Sequence, residues 1–481
     1  MQVRTRFAPS PTGSLHVGNA RIAALNWLFA RRQGGHLLLR IEDTDAGRNV
    51  RDAELQIFED LRWLGLDWDE GPRYEGRPAD SPLGPFHQSQ RLASYREAAE
   101  RLRAAGLAYD CWCTPAEIEA MRERAIERGE PARYDGRCRH LTSEQVAAYR
   151  REGRGAALRF TANNEGQIMV GDAVRGVVSF DAAVIGDFVL LRADGMPTYN
   201  FAVVVDDIAM QISHVIRGAG HLSNTPRQIL LYEALNVEPP VFAHVPMILS
   251  PARQVLSKRH GARALAEYRA EGVHPDALLN YLSLLSWSSP SGDEVLTRER
   301  LIAEVSLERI GASDAVFDET KLHWLSQQHI AAMPRESLVE AIRPYVEEQA
   351  AAWALERLPL LADAVRTRLT TFGDIGTELQ GFSPPRDAHS AAPANASEAA
   401  TLRTTREHLR TVDAWTPETL HAAIRAAGRE CGARGPALFH PLRRALTGQE
   451  QGPALPLVMH VRGREDTLAS LALALDKAGA A

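Results

Sequence analysis

The stretch that decides the fold is Arg6-Phe7-Ala8-Pro9-Ser10-Pro11-Thr12-Gly13-Ser14-Leu15-His16-Val17-Gly18-Asn19. Residues 3–7 lead into it as a strand, and the Pro- and Gly-rich segment that follows reads as a turn. From residue 18 to 32, apolar Ile22, Leu25, Trp27, Leu28 and Phe29 give a helical pattern that Gly34-Gly35 ends. Residues 37–41 form a second short buried-strand pattern. Strand, helix and strand make a βαβ unit, and hence a parallel sheet. A helix that starts just after such a turn presents unpaired N–H groups and a positive dipole end, which suits phosphate. Gly13 and Gly18 let backbone approach a ligand closely.

Far along the chain stands Val255-Leu256-Ser257-Lys258-Arg259-His260-Gly261. His16 supplies a hydrogen-bond donor and Lys258 a mobile cation, both useful where charge builds on a phosphate undergoing displacement. Read singly, His16 is more often a structural histidine, and Ser257-Lys258-Arg259 more often an exposed loop. The joint pattern is much more specific. It resembles the two signature segments of class I aminoacyl-tRNA synthetases. The surrounding sequence is similar to bacterial glutamyl-tRNA synthetase, in Arg40-Ile41-Glu42-Asp43-Thr44-Asp45, in Asp194-Gly195-Met196-Pro197-Thr198-Tyr199-Asn200-Phe201-Ala202 and in His221-Leu222-Ser223-Asn224-Thr225-Pro226-Arg227-Gln228. The resemblance continues to Leu442-Arg443-Arg444-Ala445-Leu446-Thr447-Gly448 and so covers essentially the whole chain.

It implies an α/β Rossmann-type catalytic domain with an α+β insertion, followed by a mostly α-helical C-terminal half. The expected domains are 1–250, interrupted by a connective insertion at 90–190; a stem-contact domain at 251–333; and two anticodon-binding helical subdomains at 334–382 and 383–481. The expected activity is glutamate–tRNA ligase, with L-glutamate, ATP and tRNA(Glu) as partners and Mg²⁺ accompanying ATP. By resemblance, Arg6, Ala8, Ser10, Glu42, Tyr199 and Arg217 hold glutamate. His16, Gly18, Leu256, Ser257, Lys258 and Arg259 hold ATP, with His16 and Lys258 catalytic. Arg368, in Arg366-Thr367-Arg368, matches a family position that reads the anticodon, though its pattern alone equally fits an exposed helix arginine.

The residue chemistry is consistent with these roles. Arginine forks suit a substrate with two carboxylates, and an acidic side chain suits its ammonium group. Alternatives stay open. Arg6 and Arg217 also read as sheet-end caps. The acidic run 42–45 also reads as a turn, a cap, or a Mg²⁺ or Ca²⁺ site. Three departures from the family stand out. Gly218-Ala219-Gly220-His221 lacks the acidic pair usual before the histidine, Val255 replaces a lysine, and Asn19 replaces a histidine.

Cys111-Trp112-Cys113 and Cys138-Arg139-His140 form a Cys-x-Cys and Cys-x-His set. Three thiolates and one imidazole at Cys111, Cys113, Cys138 and His140 would make a closed, structural zinc site. The fourth cysteine, Cys431, stands alone and reads as a small buried apolar residue.

Composition agrees with a globular enzyme. The chain of 481 residues is 45% hydrophobic and 24% charged, and suggests roughly three or four domains. Net charge is −6, from 55 Lys and Arg against 61 Asp and Glu, so the total does not advertise nucleic-acid binding. Residues 401–481 are weakly basic, with eleven Lys and Arg against eight Asp and Glu. No signal-peptide pattern or membrane-spanning run is seen, and a cytoplasmic monomer is expected. Residues 90–155 have helical periodicity. Strand patterns recur at 188–191, 201–205 and 214–217, and 381–400 is the best linker candidate. Three competing functions remain: a non-discriminating or tRNA(Gln)-directed synthetase, a relative that glutamylates a modified tRNA base, and a degenerate paralogue that binds without catalysis. The helical part after the stem-contact region argues against the second.

Overall fold

The computed structural model describes residues 2–44, 52–78, 81–163, 165–256, 263–349, 351–385 and 392–478. Strand Arg4–Phe7 runs parallel to His36–Leu39, in the register Arg4 to His36 and Phe7 to Leu39. Helix Val17–Arg32 connects them. It is buried on most sides because the sheet needs an apolar cover and the helix supplies Ala20, Ala23, Ala24, Leu25, Trp27 and Leu28. One polar residue, Asn26, is wholly buried on that helix. Its amide donates to the Ile22 and Ile216 carbonyls at 2.8 and 2.9 Å, which ties the helix to a third strand.

That strand, His214–Gly218, pairs in parallel with Val241–Val245. The Ser213 N–H donates to the Arg4 carbonyl at 3.0 Å and joins this ladder to the first. A hairpin, Gln167–Asp172 with Gly176–Asp181, extends the sheet through a parallel contact of Asp172 with Phe242. A separate antiparallel sheet orders Ala108–Cys111, Ala157–Phe160 and Phe188–Leu191.

Residues 201–205 are not a strand. They lie in helix Tyr199–Ala209, where Phe201 to Val205 are all buried. A short, fully apolar run has no periodicity to separate a buried strand from a buried helix. The choice matters, because only the helix brings Asp206 and Asp207 under the sheet. In the stretch read as a linker, Asn395 accepts from the Glu398 N–H and caps helix Ala396–Arg410, so residues 396–400 are helical.

The chain divides into two compact units, Met1–Arg269 with Leu278–Glu319, and Ala270–Ala277 with Thr320–Ala481. The second is helical and holds two apolar cores. One gathers Ile330, Leu338, Ile342, Leu361, Leu369 and Phe382, and the other Leu402, Leu420, Ile424, Leu442, Met459 and Leu471. Cys431 is half-buried rather than buried.

Candidate active site

A cavity of about 620 Å³ opens at the carboxyl ends of the parallel strands. Its walls include Arg6, Ala8, Ser10, His16, Gly18, Glu42, Tyr199, Arg217 and Leu256. Residues 257–262, with Ser257, Lys258 and Arg259, lie outside the described residues.

On the phosphate side, His16 is the N-cap of helix Val17–Arg32, and its Nδ1 accepts from the Gly18 N–H at 3.1 Å. In the neutral ring that bond places the proton on Nε2, which becomes the donor atom. A Cβ at residue 18 would meet the His16 ring at 2.9 Å, so a larger residue there would push the ring out of this cap. Gly13, at φ +119°, turns the chain before it. Leu256 N–H donates to the Ile248 carbonyl at 2.8 Å and anchors the entry to the second motif.

On the opposite side, charged groups are held by one another. The wholly buried Arg40 bonds Asp207 at 2.7 Å and Glu42 Oε1 at 3.2 Å. Burial alone would lower its pKa, but Asp207, Asp206 and Glu42 outweigh it and raise the pKa. Arg6 Nε contacts Asp207 at 3.4 Å. Asp206 accepts from Arg91 at 2.5 Å and from Tyr95 and Gln88 at 2.9 Å each. Burial pushes the Glu42 carboxyl above its usual range, with Arg40 and Arg6 opposing.

Arg217 is 5% exposed, and its donors can be counted. Nε donates to His244 Nε2 at 3.0 Å, and Nη2 donates to Thr225 Oγ1 at 2.9 Å and to Gln228 Oε1 at 2.8 Å. Nη1 is buried without a hydrogen-bond partner. Three of five N–H groups are thus committed, and the remaining two sit on one nitrogen. Desolvation lowers the Arg217 pKa. His221, on the 3₁₀ turn Ala219–Asn224, meets the Tyr199 hydroxyl at 3.0 Å. Burial, reinforced by Arg217, Arg6 and His244, pushes its pKa down to about 4. The segment without acids therefore brings a neutral histidine to the cavity.

The acidic run is engaged where it is described. Glu42 holds Arg40, and Asp43 accepts from Ser89 N–H and Oγ at 2.8 and 2.6 Å.

Cys111, Cys113 and Cys138 bring their sulfurs within 4.8 Å of one another. Cys113 and Cys138 Sγ are 3.7 Å apart, which matches the edge of about 3.8 Å expected for a tetrahedral zinc thiolate site. The donor set fits zinc. His140 is exposed and outside this group; the Tyr134 hydroxyl instead lies 3.5 Å from the sulfurs of both Cys111 and Cys113. The spacing after Cys138 suggested a histidine ligand, but the turn carries that side chain to solvent.

Arg368, in the helical unit, has a side chain 44% exposed and paired with Glu378 at 2.8 Å. Its neighbour Arg366 bonds the Met333 carbonyl at 2.9 Å.

Sequence reading missed Asp172, Asp206, Asp207, His244, Thr225 and Gln228 as parts of the site. Thr225 and Gln228 lie in a segment that carried the resemblance. The others stand in no motif and reach the site only through the sheet.

Residues 2–324 match the family described as tRNA synthetases class I (E and Q), catalytic domain, and residues 337–475 match the anticodon binding domain. The chain is 44% identical to a glutamate–tRNA ligase of Desulforudis audaxviator, over 99% of this chain and 97% of that one. It is 42% identical to glutamate–tRNA ligase 1 of Caldanaerobacter subterraneus, over 98% of both. A crystal structure of a glutamate tRNA ligase from Elizabethkingia meningosepticum, in complex with its amino acid, superposes with a TM-score of 0.87 at 31% identity and 99% coverage of both chains. The chain belongs to the class I glutamyl- and glutaminyl-tRNA synthetase family, among its glutamate–tRNA ligases, ATP-dependent enzymes that load glutamate onto tRNA.

Proposed function

We propose that this cavity joins L-glutamate to AMP and passes the glutamyl group to the 3′-terminal adenosine of tRNA(Glu). The observation that carries the assignment is the buried, unpartnered Nη1 of Arg217, a residue of the cavity wall beside Tyr199. Two desolvated N–H donors on a fixed cation call for an anion; a neutral amide offers weaker acceptance and no charge. Arg217 and Arg6 take the substrate carboxylate, with Tyr199 adding a hydroxyl. Glu42 has Oε1 on Arg40, and Oε2 receives the ammonium group. Ala8 and Ser10 line the same wall.

In the first step the glutamate α-carboxylate attacks the α-phosphorus of ATP. The P–O bond to diphosphate breaks, and glutamyl-adenylate forms. His16, its Nε2–H set by Gly18, donates to phosphate oxygen as charge builds there, and Gly18 and Leu256 line the ATP side of the cavity. Ser257, Lys258 and Arg259 are assigned to ATP by the second motif alone, and Mg²⁺ would neutralise the ATP phosphates. A terminal adenosine hydroxyl of the tRNA then attacks the adenylate carbonyl and AMP departs.

Residues 1–250 form the catalytic domain with its insertion at 90–190, 251–333 the stem-contact domain, and 334–382 and 383–481 the anticodon-binding subdomains. The protein acts as a monomer in the cytoplasm; among the described residues no helix is long and apolar enough to cross a membrane. Cys111, Cys113 and Cys138 hold one structural zinc, with Tyr134 rather than His140 beside them.

Aminoacylation of purified tRNA(Glu) and tRNA(Gln) with glutamate, together with ATP–diphosphate exchange, tests the reading. Charging of tRNA(Glu) alone is expected. Loss of His16 should slow the chemical step by about 10²–10³. A wild-type protein that binds tRNA without exchange would be a binding paralogue instead.

A further inference from the structure

Arg217 is held by a histidine that is itself held by an acid. His244, wholly buried on strand Val241–Val245, receives the Arg217 Nε–H on its Nε2 at 3.0 Å. Its Nδ1 lies 2.6 Å from Asp172 Oδ2. Nitrogen can accept from a guanidinium only where it carries no proton. The Nε2 of His244 is therefore bare, and the ring proton sits on Nδ1 and is donated to Asp172.

Asp172 is fixed in turn. Its Oδ1 accepts from the Val174 and Arg175 N–H groups at 3.0 and 2.9 Å, and its Oδ2 from the His244 N–H at 3.1 Å. It ends the first strand of the hairpin at 167–181 and is the residue at which that hairpin joins the parallel sheet.

We propose that Asp172 and His244 are positioning residues for glutamate selection: they lock Arg217 in the one orientation that leaves Nη1 open to the substrate carboxylate, and so couple the insertion hairpin to the amino-acid pocket. This rests on the reading of Arg217 as the carboxylate-binding group. Without the His244 acceptor, Arg217 Nε is a buried donor with nothing to bond. The guanidinium then turns to recover a partner, and the open edge leaves the cavity.

The charge around His244 supports a neutral ring. Burial lowers its pKa; Asp172 opposes, while Arg217 and Arg175 add to the lowering, and His221 lies on the adjoining turn. Arg175 Nε also donates to the His244 carbonyl at 3.3 Å. Thr225 Oγ1, 3.1 Å from Nε2, completes the polar surroundings. A histidine with a depressed pKa keeps its neutral form above its ordinary value of 6.5 and gives it up as pH falls through the lowered one.

The test uses the full chain and ATP–diphosphate exchange, with KM measured separately for glutamate and ATP. His244→Leu is expected to raise the glutamate KM about ten- to a hundredfold, the range for a buried donor left unpaired, with the ATP KM within about twofold. His244→Gln, which keeps an acceptor at the Nε2 position, should recover most of the loss. Asp172→Asn, which frees the ring tautomer, should raise the glutamate KM by less than His244→Leu. In the wild type, kcat/KM for glutamate should stay level through pH 6.5 and fall only as pH passes through the lowered His244 value. His244→Gln should move that limb, leaving only the part set by Glu42 and the substrate carboxylates. Equal rises in both KM values, failure of glutamine to rescue, or an acid limb unchanged in His244→Gln overturns the proposal. Where Arg217→Gln raises the glutamate KM but His244→Leu does not, the positioning role alone falls. Where Arg217→Gln changes nothing, the underlying reading of Arg217 falls with it.

Discussion

Two arginines in two parts of the molecule were both marked as substrate readers, and the structure treats them differently. Arg217 is buried in the cavity wall, with three donors committed to His244, Thr225 and Gln228 and one nitrogen left without a hydrogen-bond partner. Arg368 lies at the surface of the helical unit with one carboxylate, Glu378, across its fork. The first is preorganised, because its desolvation and its orientation are settled by folding. The second must leave an existing partner before it can take a new one. A binding arginine is therefore recognised less by burial or charge than by the donors that folding leaves unused.

The sharpest way to break this contrast is Arg217→Gln. Removing one member of a buried, hydrogen-bonded charge pair costs about 2–5 kcal/mol, so glutamate KM should rise at least roughly thirtyfold. The preference for glutamate over glutamine should narrow, while the ATP KM changes little. An unchanged ratio of the two amino-acid efficiencies would place selectivity elsewhere in the cavity.

The cysteine cluster sharpens the comparison, since it is also pre-formed but lies outside the cavity lining. One zinc per chain is expected by elemental analysis. Cys138→Ser should lose it, whereas His140→Ala should keep it, because Tyr134 and not His140 approaches the sulfurs. Glutamate KM should stay within about twofold in both, since the glutamate contacts proposed here all lie elsewhere. A metal-free, fully active wild-type protein would refute the site.

How far the sequence reached depends on the range of the interaction. The βαβ opening was legible because its signals are local: helical spacing between residues 18 and 32, and a Gly pair at the end. The cavity walls were legible through motif resemblance, and Arg6, Glu42, Tyr199 and Arg217 do come together. Helix Tyr199–Ala209 was read in part as a strand because its buried run is apolar throughout, and with it went Asp206 and Asp207, which counter the charge of Arg40. The partners of Arg217 were hidden for another reason. Asp172 and His244 are 72 residues apart, and only the pairing of Asp172 with Phe242 brings them together. The exposed position of His140 was not legible either, because a two-residue spacing does not say which way a turn points its side chains.

The smallest expected effect belongs to Arg368. Its pair with Glu378 joins an exposed arginine to a half-buried carboxylate at the surface, and surface pairs contribute about 0–1 kcal/mol. Arg368→Gln should therefore leave unfolding within about 1 kcal/mol of wild type and glutamate activation unchanged. Its proposed role lies in reading an unstacked anticodon base, where a forked donor meets a base edge. Such a contact gives about 1–3 kcal/mol of discrimination, and the lower end applies here because Glu378 competes for the same fork. The expected outcome is a loss of about fivefold in the preference for tRNA(Glu) over tRNA(Gln), seen as faster charging of tRNA(Gln) rather than slower charging of tRNA(Glu). Glu378→Gln supplies the complementary arm: with its competitor weakened, Arg368 should discriminate better than in the wild type. If the unmutated enzyme charges both tRNAs equally, Arg368 is a surface ion pair and the enzyme is of the non-discriminating kind. If Arg368→Gln slows both tRNAs alike, the residue contributes to RNA affinity without reading a base.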